Sequence, residues 1–139
     1  MPTLDSRSPA ETQRAARRLA RVCAPGDVIG LCGELGAGKT LFVKGLAAGL
    51  GLDPRYVSSP TFTLIHEYLG GLMPLYHFDF YRIETEDEAL EIGIEDYLIG
   101  DGVCVIEWAD KFPALLPPHT RWFHLEIKGD SRRAITERR

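Results

Sequence analysis

Apolar and polar positions alternate along this chain in blocks that predict its elements. Ala15, Ala16, Leu19, Ala20 and Cys23 fall on one face of a 3.6-residue period. Ser8-Pro9-Ala10-Glu11 supplies a serine cap, a proline at the first helical position and a glutamate three residues after the cap. A helix from Ser8 to about Cys23 follows, stopped by Ala24-Pro25-Gly26. Val28-Ile29-Gly30-Leu31-Cys32 is a continuous apolar run, the pattern of a strand buried on both faces. Gly-rich residues 33–38 come next, then a helical stretch from about Lys39 to Leu50 closed by Gly49 and Gly51. Alternating segments at about 61–69 and 73–82 flank Gly70-Gly71 and predict a hairpin. Thr85-Glu86-Asp87-Glu88 opens a short acidic helix ending near Gly93. Val103–Ile106 is a second buried strand, and a proline-bearing connection (112–118) leads to a strand over Arg121–Lys128 and a last polar strand after Gly129-Asp130. No repeat or linker divides these blocks. One α/β domain over 1–139 is expected, with a mixed sheet of parallel core and antiparallel hairpins, flanked by helices.

Composition narrows the class. At 139 residues with 45% apolar and 26% charged side chains, the chain suits a single globular domain. No apolar run approaches the roughly 20 residues of a membrane helix, and the first twenty residues lack the pattern of a secretory signal. Cys23, Cys32 and Cys104 form no CxxC pair and read as small buried hydrophobes of a reducing compartment. The cytoplasm is the expected location. Charge is segregated: residues 1–25 carry five arginines against two acids, 121–139 six basic against three acidic residues, and 26–120 five basic against fifteen acidic. Net −4 disfavours bulk phosphate neutralisation, so no DNA partner and no membrane are expected. The two basic ends leave room for a local patch. Arg14, Arg17, Arg18 and Arg21 share a face of the first helix, either as a solvated surface or as a contact for a partner or RNA.

The chemistry lies in GELGAGKT. Gly33, Glu34, Leu35, Gly36, Ala37, Gly38, Lys39 and Thr40 match G-x-x-x-x-G-K-[ST], after a buried strand and at the start of a helix. Glycines let successive backbone N–H groups turn inward around a phosphate. Lys39 adds a point charge at the β- and γ-phosphates, and the Thr40 hydroxyl is a Mg²⁺ ligand. The helix dipole adds its positive end.

Such a loop needs an acid at the end of a neighbouring strand. Val103-Cys104-Val105-Ile106-Glu107 is continuously apolar up to its carboxylate, which suits a central strand beside the loop. Leu75-Tyr76-His77-Phe78-Asp79 alternates, which suits a strand exposed on one side. Glu107 is therefore expected as metal ligand and Asp79 as a catalytic or water-positioning acid. His77 reads as a hydrogen-bonded structural histidine rather than a base. No N-K-x-D follows the loop, and the only D-x-x-G (Asp27–Gly30) precedes it, which argues against GTP. Between the loop and residue 120 only Arg55 and Arg82 are available for a lid, which disfavours a small-molecule kinase. Ser59-Pro60-Thr61-Phe62 is a candidate for a segment ordered by the γ-phosphate, or an ordinary turn before a strand.

GELGAGKT, SSPTF (58–62), HFDFYRI (77–83) and IEW (106–108) occur in an order and spacing that resembles the TsaE (YjeE) family, bacterial P-loop ATPases of tRNA threonylcarbamoyladenosine (t6A) biosynthesis. The resemblance runs from the first helix to about residue 130. It implies a small α/β P-loop fold that binds ATP and Mg²⁺, a weak ATPase alone, and action with the TsaB–TsaD pair, which transfers threonylcarbamoyl to adenosine 37 of tRNA. Contact with tRNA is then indirect, and hydrolysis resets the pair between turnovers. By position, the resemblance puts Lys39 on the phosphates, Thr40 and Glu107 on Mg²⁺, Thr61 in the nucleotide-sensing segment, Asp79 in catalysis and Trp108 beside the nucleotide. Pro9 and Arg132 fall where the family contacts nucleotide from the first helix and the last hairpin. The chain departs from the family at Leu41, where a second threonine is usual; loss of a hydroxyl that commonly reaches the α-phosphate is expected to weaken nucleotide affinity slightly. Two alternatives stand beside a hydrolysing ATPase: an interaction module in which ATP binding alone does the work, and a kinase that transfers phosphate to an acceptor.

Overall fold

A computed structural model describes residues 3–60 and 64–138. In chain order the elements are β1 (Thr3–Ser6), α1 (Pro9–Ala20), β2 (Val28–Cys32), α2 (Lys39–Gly49), β3 (Ile65–Tyr68), β4 (Leu75–Asp79), α3 (Glu86–Glu91), α4 (Ile94–Leu98), β5 (Val103–Glu107), β6 (Arg121–Ile127) and β7 (Arg133–Arg138), with 3-10 turns at Pro54–Tyr56, Ala109–Lys111 and Pro113–Leu115. All seven strands form one sheet in the order β1-β7-β6-β2-β5-β4-β3. The four middle strands run parallel, while β1/β7, β7/β6 and β3/β4 pair antiparallel. This is the mixed sheet with a parallel core that the apolar runs predict.

The parallel core explains why β2, β4 and β5 are buried at every position. Two layers cover them. Ile29, Leu31, Val103 and Val105 pack with Ala16, Phe42, Val43 and Leu46 of α1 and α2. The residues between them, Val28, Cys104 and Ile106, pack with Ile83, Ala89, Ile94 and Leu98 on the α3/α4 side. Period-two alternation in strands and period-3.6 stripes in helices therefore meet on both faces. Burial pushes the Cys32 and Cys104 thiols up to about 12 and Cys23 up to about 11, so these side chains are inert filling.

Differences from the sequence reading are local. Helix α1 ends at Ala20 rather than Cys23, because the chain must turn before Pro25, and Ala24 N–H instead donates to Asp27 at 2.8 Å. The acidic stretch is two short helices broken at Gly93, whose φ of 80° no continuing helix allows. Strand β1 gives too short a pattern to announce itself; its backbone is recruited by β7. The expectation that β4 lies exposed on one side is wrong, since all five of its residues are buried between β3 and β5. Its alternation separates an apolar core face (Tyr76, Phe78) from a covered polar face (His77, Asp79), not inside from outside.

Helices α1 and α2 approach closely through small residues. A Cβ on Gly45 would lie 2.4 Å from Gln13 O and 2.7 Å from Ala16 Cβ, and one on Gly49 would lie 2.5 Å from Ala20 Cβ. Inside a helix, Gly→Ala normally stabilises by about 1 kcal/mol. Here Gly45→Ala is expected to reverse that sign and cost about 1–3 kcal/mol through overpacking, read by urea denaturation. Unchanged or greater stability would refute the packing argument.

Candidate functional site

The parallel strands deliver the site residues. Register pairs Leu31 with Glu107 and Glu107 with Asp79, so the C-terminal ends of β2, β5 and β4 lie side by side. The chain leaves β2 into the loop at this edge, and α2 brings Thr40 back over Glu107. Gly38, at φ 103°, makes the sharp entry into α2, a conformation that favours glycine. No side chain caps that helix, which leaves its first-turn N–H groups facing the loop. Leu35 is exposed at the loop tip and Ala37 is buried beneath it.

A cavity of about 400 Å³ is bordered by the loop and by Lys39, Thr40, Ser59, Asp79, Glu107 and Trp108. The Lys39 ammonium donates to the carbonyls of Gly33 and, at 3.0 Å, Glu34, and lies 4.1 Å above the Trp108 ring. Burial lowers its pKa, opposed by the charges of Glu107 and Asp79. Thr40 Oγ1 donates to Glu107 at 3.0 and 3.1 Å from the two carboxylate oxygens, and lies 2.6 Å from Ser59 Oγ. Ser59 Oγ also donates to Glu107 at 3.3 Å. Asp79 accepts from the Tyr81 N–H at 2.9 Å. Burial pushes its carboxyl up, the Tyr81 N–H pulls it down, and the charge of Glu107 adds to the rise. Trp108 closes β5 in a left-handed conformation (φ 58°), its ring 5.0 Å from that of Tyr81.

The expected residues meet here, with three particulars. Thr61 lies outside the described residues. Pro9 borders a smaller cavity of about 140 Å³ on the other flank of the loop, with Gly36, Leu41 and Arg133. In that hairpin it is Arg133 that reaches the loop, donating to Gly36 O at 3.2 Å, while Arg132 sits in an exposed pair with Asp5 at 3.0 Å. Sequence reasoning passed over Ser59 as a direct partner of Thr40 and Glu107, and His77 as a contact of Glu107. The signal for His77 was present: two residues before Asp79 on a strand, it shares that residue's face.

The donor set of Thr40, Glu107 and Ser59 is all oxygen, which fits a hard divalent cation. Among the described residues, no three acidic, histidine or cysteine side chains gather into a self-sufficient metal cage. One or two carboxylates completed by substrate phosphates is the usual way a protein holds Mg²⁺.

Comparison with known proteins agrees along nearly the whole length. The family model described as Threonylcarbamoyl adenosine biosynthesis protein TsaE matches residues 6–136. The tRNA threonylcarbamoyladenosine biosynthesis protein TsaE of Bacillus subtilis (strain 168) is 47% identical over 129 residues, 93% of this chain and 80% of that protein. The protein of the same name from Treponema pallidum (strain Nichols) is 44% identical over 131 residues, 94% of this chain and 96% of that one. The crystal structure of Bacillus subtilis YdiB superposes with a TM-score of 0.81 at 39% identity, covering 98% of this chain and 83% of that one. With a family model matching residues 6–136 and relatives 44–47% identical over more than nine-tenths of its length, the chain belongs to the TsaE family of threonylcarbamoyladenosine biosynthesis proteins.

Proposed function

We propose that this chain is the Mg²⁺-dependent ATP-hydrolysing component of the t6A tRNA-modification machinery in the bacterial cytoplasm, acting with the TsaB–TsaD pair. The observation that carries the reading is the convergence of Thr40 and Glu107, 3.0 Å apart, behind a P-loop whose lysine shares a cavity with Asp79. The names of the relatives supply the pathway.

In this reading the loop N–H groups and the α2 N-terminus receive the phosphates, and Lys39 exchanges the carbonyls of Gly33 and Glu34 for phosphate oxygens. Thr40 and Glu107 would hold Mg²⁺. Such an ion, when bound, would supply charge neutralisation at the phosphates. Asp79, at the same strand edge, orients the attacking water. Of the two arginines considered for a lid, Arg55 is paired with Asp53 at 2.7 Å, and Arg82 alone borders the cavity.

The test is phosphate release from ATP with and without Mg²⁺, for the chain alone and with TsaB–TsaD of the same organism. A slow rate that rises on adding the pair is expected. ATP bound without release in either condition would replace hydrolysis by a binding-only interaction module.

A further inference from the structure

Among the described residues, Glu107 has three hydrogen-bond partners, and they come from two sides. Thr40 and Ser59 reach it from the cavity. His77 reaches it from behind: Nε2 lies 2.6 Å from Glu107 Oε2, with His77 fully buried and Glu107 only 3% exposed. A carboxylate only accepts, so the proton of this contact sits on Nε2. Nδ1 lies 3.5 Å from the Tyr68 hydroxyl on β3. That hydroxyl lies 3.1 Å from His66 Nδ1, accepts from the Ser58 N–H at 3.3 Å and donates to the Ser58 carbonyl at 3.3 Å, one residue before Ser59. On this face Leu75 lies two residues before His77, Val105 beside it in register on β5 and His66 opposite it on β3.

We propose that His77 is the positioning residue of Glu107, its Nε2–H fixing the carboxylate for Mg²⁺, and that the Tyr68 hydroxyl in turn fixes the imidazole. This rests on the reading of Glu107 as a Mg²⁺ ligand. In that reading the Thr40 and Ser59 hydroxyls would serve cation and phosphate, while His77, which reaches Glu107 from behind, would keep its contact with the carboxylate. A metal-ligating carboxylate depends on such partners for its orientation, and their loss typically weakens metal binding 10–100-fold.

The test uses the full chain with saturating ADP and reads Tm as Mg²⁺ is titrated, so no turnover is needed. The half-point of Mg²⁺-dependent stabilisation is compared among parent, His77→Leu, His77→Gln, Tyr68→Phe and Glu107→Gln. His77→Leu is expected to raise the half-point roughly tenfold or more while ADP stabilisation in EDTA stays at the parental level. In His77→Gln the amide nitrogen stands where Nε2 stood, and most of the shift is expected to vanish. Tyr68→Phe is expected to move the half-point the same way by less, and it carries the test should His77→Leu fail to fold. A parental half-point in His77→Leu, or in Tyr68→Phe if that variant has to decide, overturns the proposal. So does a His77→Gln variant as impaired as His77→Leu. Glu107→Gln separates the two readings: if it shifts the half-point and His77→Leu does not, only the positioning role falls. If Glu107→Gln is also parental, the assignment of Glu107 to Mg²⁺ falls first.

Discussion

Lys39→Ala is expected to lower ATP turnover by at least about a hundredfold, the usual consequence of removing a charge-stabilising donor from a transition state. The fold should survive. Lys39 opens α2, where alanine is a better helix former; among the described residues its ammonium hydrogen-bonds the carbonyls of Gly33 and Glu34, which water can satisfy in its absence, and stacks on the Trp108 ring. Removing a charge whose pKa is lowered by burial also relieves a desolvation cost. Stability within about 1 kcal/mol of the parent is therefore expected. Phosphate release and urea denaturation on the same preparation check both halves. Parental turnover would overturn the loop assignment; an unfolded variant would overturn the account of what Lys39 holds.

Asp79→Asn is expected to lose activity and gain stability together. Turnover should fall about a hundredfold or more, because a neutral amide orients an attacking water poorly. The asparagine carbonyl can keep the hydrogen bond from Tyr81 N–H, so the geometry is preserved. The sign of the stability effect follows from the shift: the folded-state pKa of Asp79 is raised, mainly by burial. The folded protein therefore binds the proton more tightly than the unfolded chain, and the ionised carboxylate opposes folding. That cost is fully present above the folded pKa and disappears as pH falls below the unfolded value, near 4. In the absence of nucleotide, the Asn variant should have the higher Tm at neutral pH, with the gap closing on acidification. A Tm at or below the parent's at pH 7 would show that Asp79 is stabilising where it lies.

Much of this was legible in the residues. The continuous runs at Val28–Cys32 and Val103–Glu107 announced buried parallel strands, because a strand covered on both faces has no polar side to alternate with. GELGAGKT announced the turn from β2 into α2, because the entry at Gly38 takes a positive φ that favours glycine. Glu107 could be chosen because its run ends where a neighbouring strand would meet the loop. Strand β4 was misjudged for a definite reason. Alternation reports two different environments, and it cannot distinguish solvent from a polar site sealed beneath a loop.

The sequence by itself determined the loop, its lysine and threonine, the parallel core and the two strand-end acids, since each depends on spacing within a few residues. Only the tertiary structure decided which side chains stand behind those acids. Ser59, Tyr68 and His77 reach Glu107 directly or through one another across 48, 39 and 30 residues of chain. The same holds for Arg133, which lies against Gly36 across 97 residues while its neighbour Arg132 turns to Asp5. Such contacts are set by sheet order and register. No periodicity along the chain encodes them, because the partners meet only after the strands between them have paired.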